Sequence, residues 1–178
     1  EGVNLNYSPT KIQNYKFTAV HGWGRDRANY LNRYSYDFMN NWNFDKWALG
    51  YEAAYDSETF GYFARTRFKQ PKLNLAAEFR NVSKNFLSIT GTGWRQGELG
   101  GLVNLNYTPT DKLGINSSLD VYQDRLYPAQ DKESRWNEDF NYDTTYQIDP
   151  KTSLRLNYAL QNDLGRISQY RYQSAGFG

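Results

Sequence analysis

The side chains that could do chemistry in this chain are Glu52, Arg65, Arg67, Glu78, Arg80, Asp120 and Arg155, and they share one placement. Each sits in a run of alternating character, on the side opposite the apolar residues. Glu52 keeps step with Ala48, Gly50 and Ala54, Arg65 and Arg67 with Gly61 and Phe63, and Arg155 with Asn157 and Gln161. Two chemistries are open to such a set. Arg65, Arg67 and Arg80 can pair with Glu52 and Glu78 and fill an interior, or the charges can line a constriction that selects ionic or sugar solutes. The only histidine, His21, shares a side with Tyr15, Phe17, Ala19 and Trp23. An imidazole can act as a general base, but no Ser or Asp pattern points to it. A ring near the end of an aromatic run suits a boundary between water and an apolar phase. No catalytic residue, cofactor or metal site is assigned, and the chain is read as a non-enzyme.

Composition narrows the classes. The net charge is +2, from 21 basic and 19 acidic residues that are interspersed and not in blocks, so no basic stripe for nucleic acid is present. The chain has no cysteine, which excludes disulfides, thiolate-ligated zinc and thiol catalysis. Aromatics make up 17% of the residues, with 16 Tyr, 10 Phe and 5 Trp, while Leu, Ile and Val are scarce. The mean hydropathy of −0.87 leaves no apolar run long enough for a membrane helix. It does not exclude a membrane barrel, whose strands place apolar residues at every second position.

The elements that position these side chains are hairpins. In residues 103–125, Val103, Leu105 and Tyr107 share a face opposite Asn104 and Asn106. After the polar turn 108–112, Ile115, Ser117, Leu119 and Val121 lie opposite Asn116, Ser118, Asp120 and Tyr122. A period of two over this length is a strand signal. Pro109, which fixes φ and lacks a donor, is expected in the turn and not in the ladder. The unit recurs. VNLNYSPT at 3–10 nearly repeats VNLNYTPT at 103–110, and Pro71, Pro150 and the Asp45-Lys46 step mark further turns.

Taken in order, the chain offers about eleven strands. Those near 15–23, 30–38, 47–55, 60–68, 73–80, 136–148 and 153–162 are long and alternating, and 2–7 and 167–175 end the series. Residues 24–29 and 126–134 are expected as polar loops and 84–97 as an irregular excursion. Many of these strands are longer than the ~5–6 residues of an ordinary strand and reach the ~9–11 that a tilted membrane-spanning strand needs. Counting connections places every Pro or Asp-Lys turn at one end and the longer, more varied loops at the other.

The strand–turn units at 103–125 and 142–163, with aromatics near the strand ends, resemble a bacterial outer-membrane β-barrel, porin-like in class. The resemblance covers essentially the whole chain. It implies an all-β, antiparallel up-and-down transmembrane barrel of long amphipathic hairpins in a single domain, 1–178. Its short turns would be periplasmic and its long loops outside, in the bacterial outer membrane. Glu52, Arg65, Arg67, Glu78, Arg80, Asp120 and Arg155 would then line the lumen, because an Arg or Lys facing lipid at the midplane costs ~2–4 kcal/mol. Trp23, Trp47, Trp136 and His21 would lie at the membrane interfaces. The implied partners are outer-membrane lipid and lipopolysaccharide, and the implied roles are a channel or porin, an export pore, or a surface scaffold. An odd strand count and the ending Gly176-Phe177-Gly178 depart from the class, so further strands or subunits are expected to complete the ring. The alternative is a soluble all-β carbohydrate-binding module with exposed Trp and Tyr.

Overall fold

The structure, a computed structural model, describes residues 1–26, 29–86, 95–126, 135–163 and 170–177. They form eleven strands: β1 (Gly2–Tyr7), β2 (Gln13–Asp26), β3 (Asn29–Asn43), β4 (Trp47–Tyr55), β5 (Phe60–Gln70), β6 (Leu73–Val82), β7 (Glu98–Thr110), β8 (Leu113–Asp124), β9 (Arg135–Asp149), β10 (Thr152–Asp163) and β11 (Tyr170–Phe177). Each strand pairs only with its neighbours in sequence, always antiparallel, in one sheet ordered β1 to β11. No helix occurs among the described residues.

The register keeps the two faces apart across the whole sheet. Leu5 pairs with Phe17, Phe17 with Phe38 and Phe38 with Ala53 on one face. On the other, Arg65 pairs with Glu78 and Leu102 with Asp120. Burial then runs opposite to that of a soluble domain. Phe79 and Leu154 are each 51% exposed, as are many other large apolar side chains, whereas Arg80 is 0%, Glu52 6% and Asp120 7% exposed. A sheet can bury only the face it curls around, so this one curls around its polar face. The small apolar cluster of Ala54, Phe63, Val82 and Phe86 lies at the loop end of that same face.

The two VNLNY[ST]PT repeats turn in the same way. Thr10 Oγ1 accepts from the Ile12 and Gln13 amides at 3.2 and 3.1 Å, and Thr110 Oγ1 accepts from those of Lys112 and Leu113 at 3.3 and 3.1 Å. A hydroxyl that accepts from nearby amides gives the backbone a local alternative to the ladder and closes the turn. Neighbouring turns are tied together, since the Thr108 amide donates to Lys72 O and the Gln147 amide to Lys112 O.

Three expectations need correction. Pro109 lies inside β7, at a register shift between Tyr107 and Thr110, where a bulge tolerates its missing donor. β7 begins at Glu98, directly after the expected 84–97 excursion and ahead of Val103, where the alternating run is expected to start. β2 and β3 continue to Asp26 and from Asn29, so most of the expected 24–29 loop is strand. Trp94 and the loop residues 127–134 lie outside the described residues.

The sheet is not closed into a ring. No ladder joins β1 to β11 among the described residues, and both strands run in the same direction. One row of β1 amides and carbonyls therefore faces no partner. Amide hydrogen exchange on the folded chain should show β1 exchanging at least tenfold faster than β8, which is paired on both sides. Equal protection would mean that β1 has a partner strand.

Candidate functional site: the polar face of the sheet

The polar face carries two tiers. Nearer the loops lies a network of charges centred on Arg80. Its Nε donates to Glu98 Oε2 at 2.7 Å and its Nη2 to Asp120 Oδ1 at 2.8 Å, two strands away. Its guanidinium stands 5.4 Å from the centre of the Tyr122 ring. The reach across β7 is possible because Arg80, Gly100 and Tyr122 fall in one register row, and Gly100 offers no side chain. A Cβ at Gly100 would lie 2.4 Å from the Val121 carbonyl oxygen, so this position is restricted to glycine.

Arg95 closes the network from the excursion, with Nη1 2.8 Å from Asp120 Oδ2 and 3.5 Å from Glu98 Oε2. Desolvation works against its charge, but the Asp120 and Glu98 carboxylates outweigh it and hold the guanidinium above its ordinary pKa. Arg125 fastens the same end of the sheet, donating through Nη2 to Val82 O at 2.6 Å and to Asn81 Oδ1 at 2.9 Å. Phe86 and Arg95, on either side of 87–94, are thus both held on the polar face.

The expected pairing is met in part. Arg65 reaches Glu78 at 3.2 Å and Glu52 at 3.7 Å. Arg80 pairs with neither of those and takes Glu98 and Asp120 instead. Arg155 pairs with Asp143 at 2.6 Å, and the exposed Arg67 makes no ion pair among the described residues. Glu98, Arg95 and Asp143 were not singled out in the sequence. Arg95 sits in the expected 84–97 excursion and Glu98 directly after it, ahead of the alternating run that begins at Val103, so the period of two that exposes the others does not reach them. Asp143 was legible by alternation with Asn141 and Thr145.

Nearer the turns the polar face becomes carboxamide-rich and less charged. A cavity of about 500 Å³ is lined by Asn14, Asn41, Asn43, Ala48, Gly50 and Asn104, with Arg65, Arg67 and Glu78 at its side. A second, of about 290 Å³, continues from Ala76 and Asn104 to Asn74, Asn106, Asn116, Ser118 and Asn141.

On the apolar face, His21 stacks on Tyr34 with ring centres 4.4 Å apart and lies 5.1 Å from Trp23. Its Nε2 pairs with Asn32 Oδ1, a carboxamide and not a carboxylate. Trp23, Trp47 and Trp136 are exposed on the same face, Trp47 beside Phe68 at 4.6 Å. Among the described residues, no group of His, Asp and Glu could hold a metal ion.

Comparison with known proteins places the chain in no group. It matches no protein family, no curated protein and no solved structure.

Removing one member of a buried charge network leaves the rest uncompensated. Arg80→Ala should lower folding stability by ~3–5 kcal/mol, read from urea unfolding in detergent, whereas Arg155→Ala, at an exposed pair, should change it by less than ~1 kcal/mol. Gly100→Ala should weaken the fold as well, by forcing β7 away from β8.

Proposed function

We propose that this chain forms part of the wall of a bacterial outer-membrane β-barrel acting as a channel, either a porin or an export pore. The observation that carries the reading is a band on the apolar face. Counted from the turn, the first strongly polar outward side chains at the loop end are Asn32 on β3, Asn81 on β6, Gln123 on β8, Glu138 on β9 and Asn162 on β10. These lie about 8–11 residues from the turn, or about 21–29 Å for strands tilted ~40°, which brackets the ~25 Å apolar band of such barrels. On β1 to β10 the exceptions within the band are Asn40, Thr66, Ser117 and Thr144, three of them short and the fourth covered. Thr144 donates to Gly114 O at 3.1 Å, and Asn40 is buried between the positions of Tyr15 and Tyr51.

Aromatics flank the band on both sides. Tyr107, Tyr146 and Trp47 stand near the turns, and Trp23, Tyr34 and Trp136 near the loops, where amphipathic rings suit the headgroup level of lipid and lipopolysaccharide. A soluble carbohydrate-binding module would cover this face with a second sheet, and the described residues contain only one.

In hydrocarbon each unpaired backbone group at an edge costs several kcal/mol, so β1 and β11 need partners there. Because those strands run the same way, an odd number of further strands, from the same polypeptide or another subunit, completes an even antiparallel ring.

Two experiments test the reading. Leu156→Arg should abolish flotation of the refolded chain with liposomes while Asn157→Arg, on the opposite face, leaves it intact; the reverse order would place the apolar face elsewhere. In intact cells, a membrane-impermeant thiol reagent should modify Asn85→Cys at the loop end and spare Asp111→Cys in a turn. Labelling of Asp111→Cys alone would invert the orientation.

A further inference from the structure

We propose that the carboxamide-rich tier of the polar face is a binding track for a neutral, polyhydroxylated chain, an oligosaccharide in chemical class. The inference deepens the channel reading by naming what the passage would accommodate, and its site stands on the sheet alone. Asparagine is disfavoured in strands, since it packs poorly on a pleated surface and competes for backbone hydrogen bonds. Here it recurs on adjacent strands at matched positions. Asn74 pairs in register with Asn106 and Asn106 with Asn116, while one row away Asn104 pairs with Ser118 and Ser118 with Asn141.

The two cavities meet at Ala76 and Asn104 and form one trough across these strands, about 500 and 290 Å³ in volume. Small residues make its floor. Ala48, Gly50 and Ala76 face the trough, and a Cβ at Gly50 would approach Asn41 Oδ1 to 2.8 Å.

The hydrogen-bonding capacity of the tier is largely unused by the protein. Asn106 donates to Asn116, Asn14 to Ser8 and Asn141 to Ser118, but the side chains of Asn41, Asn43, Asn74 and Asn104 make no hydrogen bond among the described residues. Each carboxamide offers two donor hydrogens and an acceptor oxygen, which matches hydroxyl groups that both donate and accept. Successive carboxamides across the sheet lie ~4.8 Å apart, a repeat suited to a ligand that is itself a repeating chain. An apolar solute would leave these groups desolvated and unpaired. An ion finds little net field, because Glu52 and Glu78 already neutralise Arg65 and the single free cation of the trough among the described residues is Arg67. Its guanidinium can donate to hydroxyls as the carboxamides do.

The test is calorimetric titration of the full chain, refolded in detergent micelles, with neutral linear hexasaccharides: α- and β-linked glucose and β-linked xylose. At least one should bind, and Asn104→Ser with Asn106→Ser should weaken it at least tenfold, while Asn32→Ser on the opposite face leaves affinity unchanged; circular dichroism checks that each variant keeps its strands. No binding by a folded chain at millimolar sugar, or binding indifferent to Asn104 and Asn106, overturns the proposal. So does binding of an oligogalacturonate alone, lost in Arg67→Gln, which would make the trough an anion site. Because micelles replace the bilayer, sugar binding by a chain that fails to float with liposomes would sustain the track and refute the channel.

Discussion

The structure depends on a buried arginine. Arg80 has no exposed surface, and a guanidinium withdrawn from water is tolerable only if carboxylates meet it. Glu98 and Asp120 do so from the next two strands, which ties β6, β7 and β8 into one register. That register requires Gly100 between them, and it leaves Asp120 free to accept Arg95 from the far side of the excursion. Once this face is committed to charge, the alternation of strand side chains sends most large apolar residues to the other face, over all the strands whose register continues the pattern, and leaves the small Ala54, Phe63, Val82 and Phe86 cluster on the charged side.

Much of this was legible in the residues, and what was missed has a common cause. Alternation is a local signal, and it located the strands, their number and the faces of Glu52, Arg65, Glu78, Asp120 and Arg155. It does not reach Arg95, which lies in the excursion, or Glu98, which opens β7 just before Gly100 and Gly101 blur the alternation, so the pattern offers Arg80 its nearest acidic neighbours and not its partners. A proline removes a ladder donor and so reads as a turn residue, yet at Pro109 a bulge absorbs that loss inside β7. The 24–29 segment read as loop because it is polar. A strand that continues beyond an apolar band is polar too, and β2 and β3 do continue.

The same band joins fold to function. A soluble protein that exposed so many Tyr, Phe, Trp and Leu side chains on one face while burying Arg, Glu and Asp on the other would be inverted with respect to water. The inversion is resolved if hydrocarbon meets the outer face and water the inner one. The inner face then divides by height into a paired, charged tier that rigidifies the loop end and a carboxamide tier whose hydrogen bonds remain available. Interaction specificity would reside in the second, because the charges of the first are largely committed to one another.

The central claim is that lipid, not protein, covers the apolar face. It is tested most directly by phase partitioning of the chain in a detergent that separates on warming, followed by electrophoresis with and without boiling. The account predicts recovery in the detergent phase and a band that shifts on boiling, as a sheet held by continuous antiparallel ladders resists the detergent of the gel until it is heated. Recovery in the aqueous phase as a folded β protein with no heat-dependent shift would contradict it.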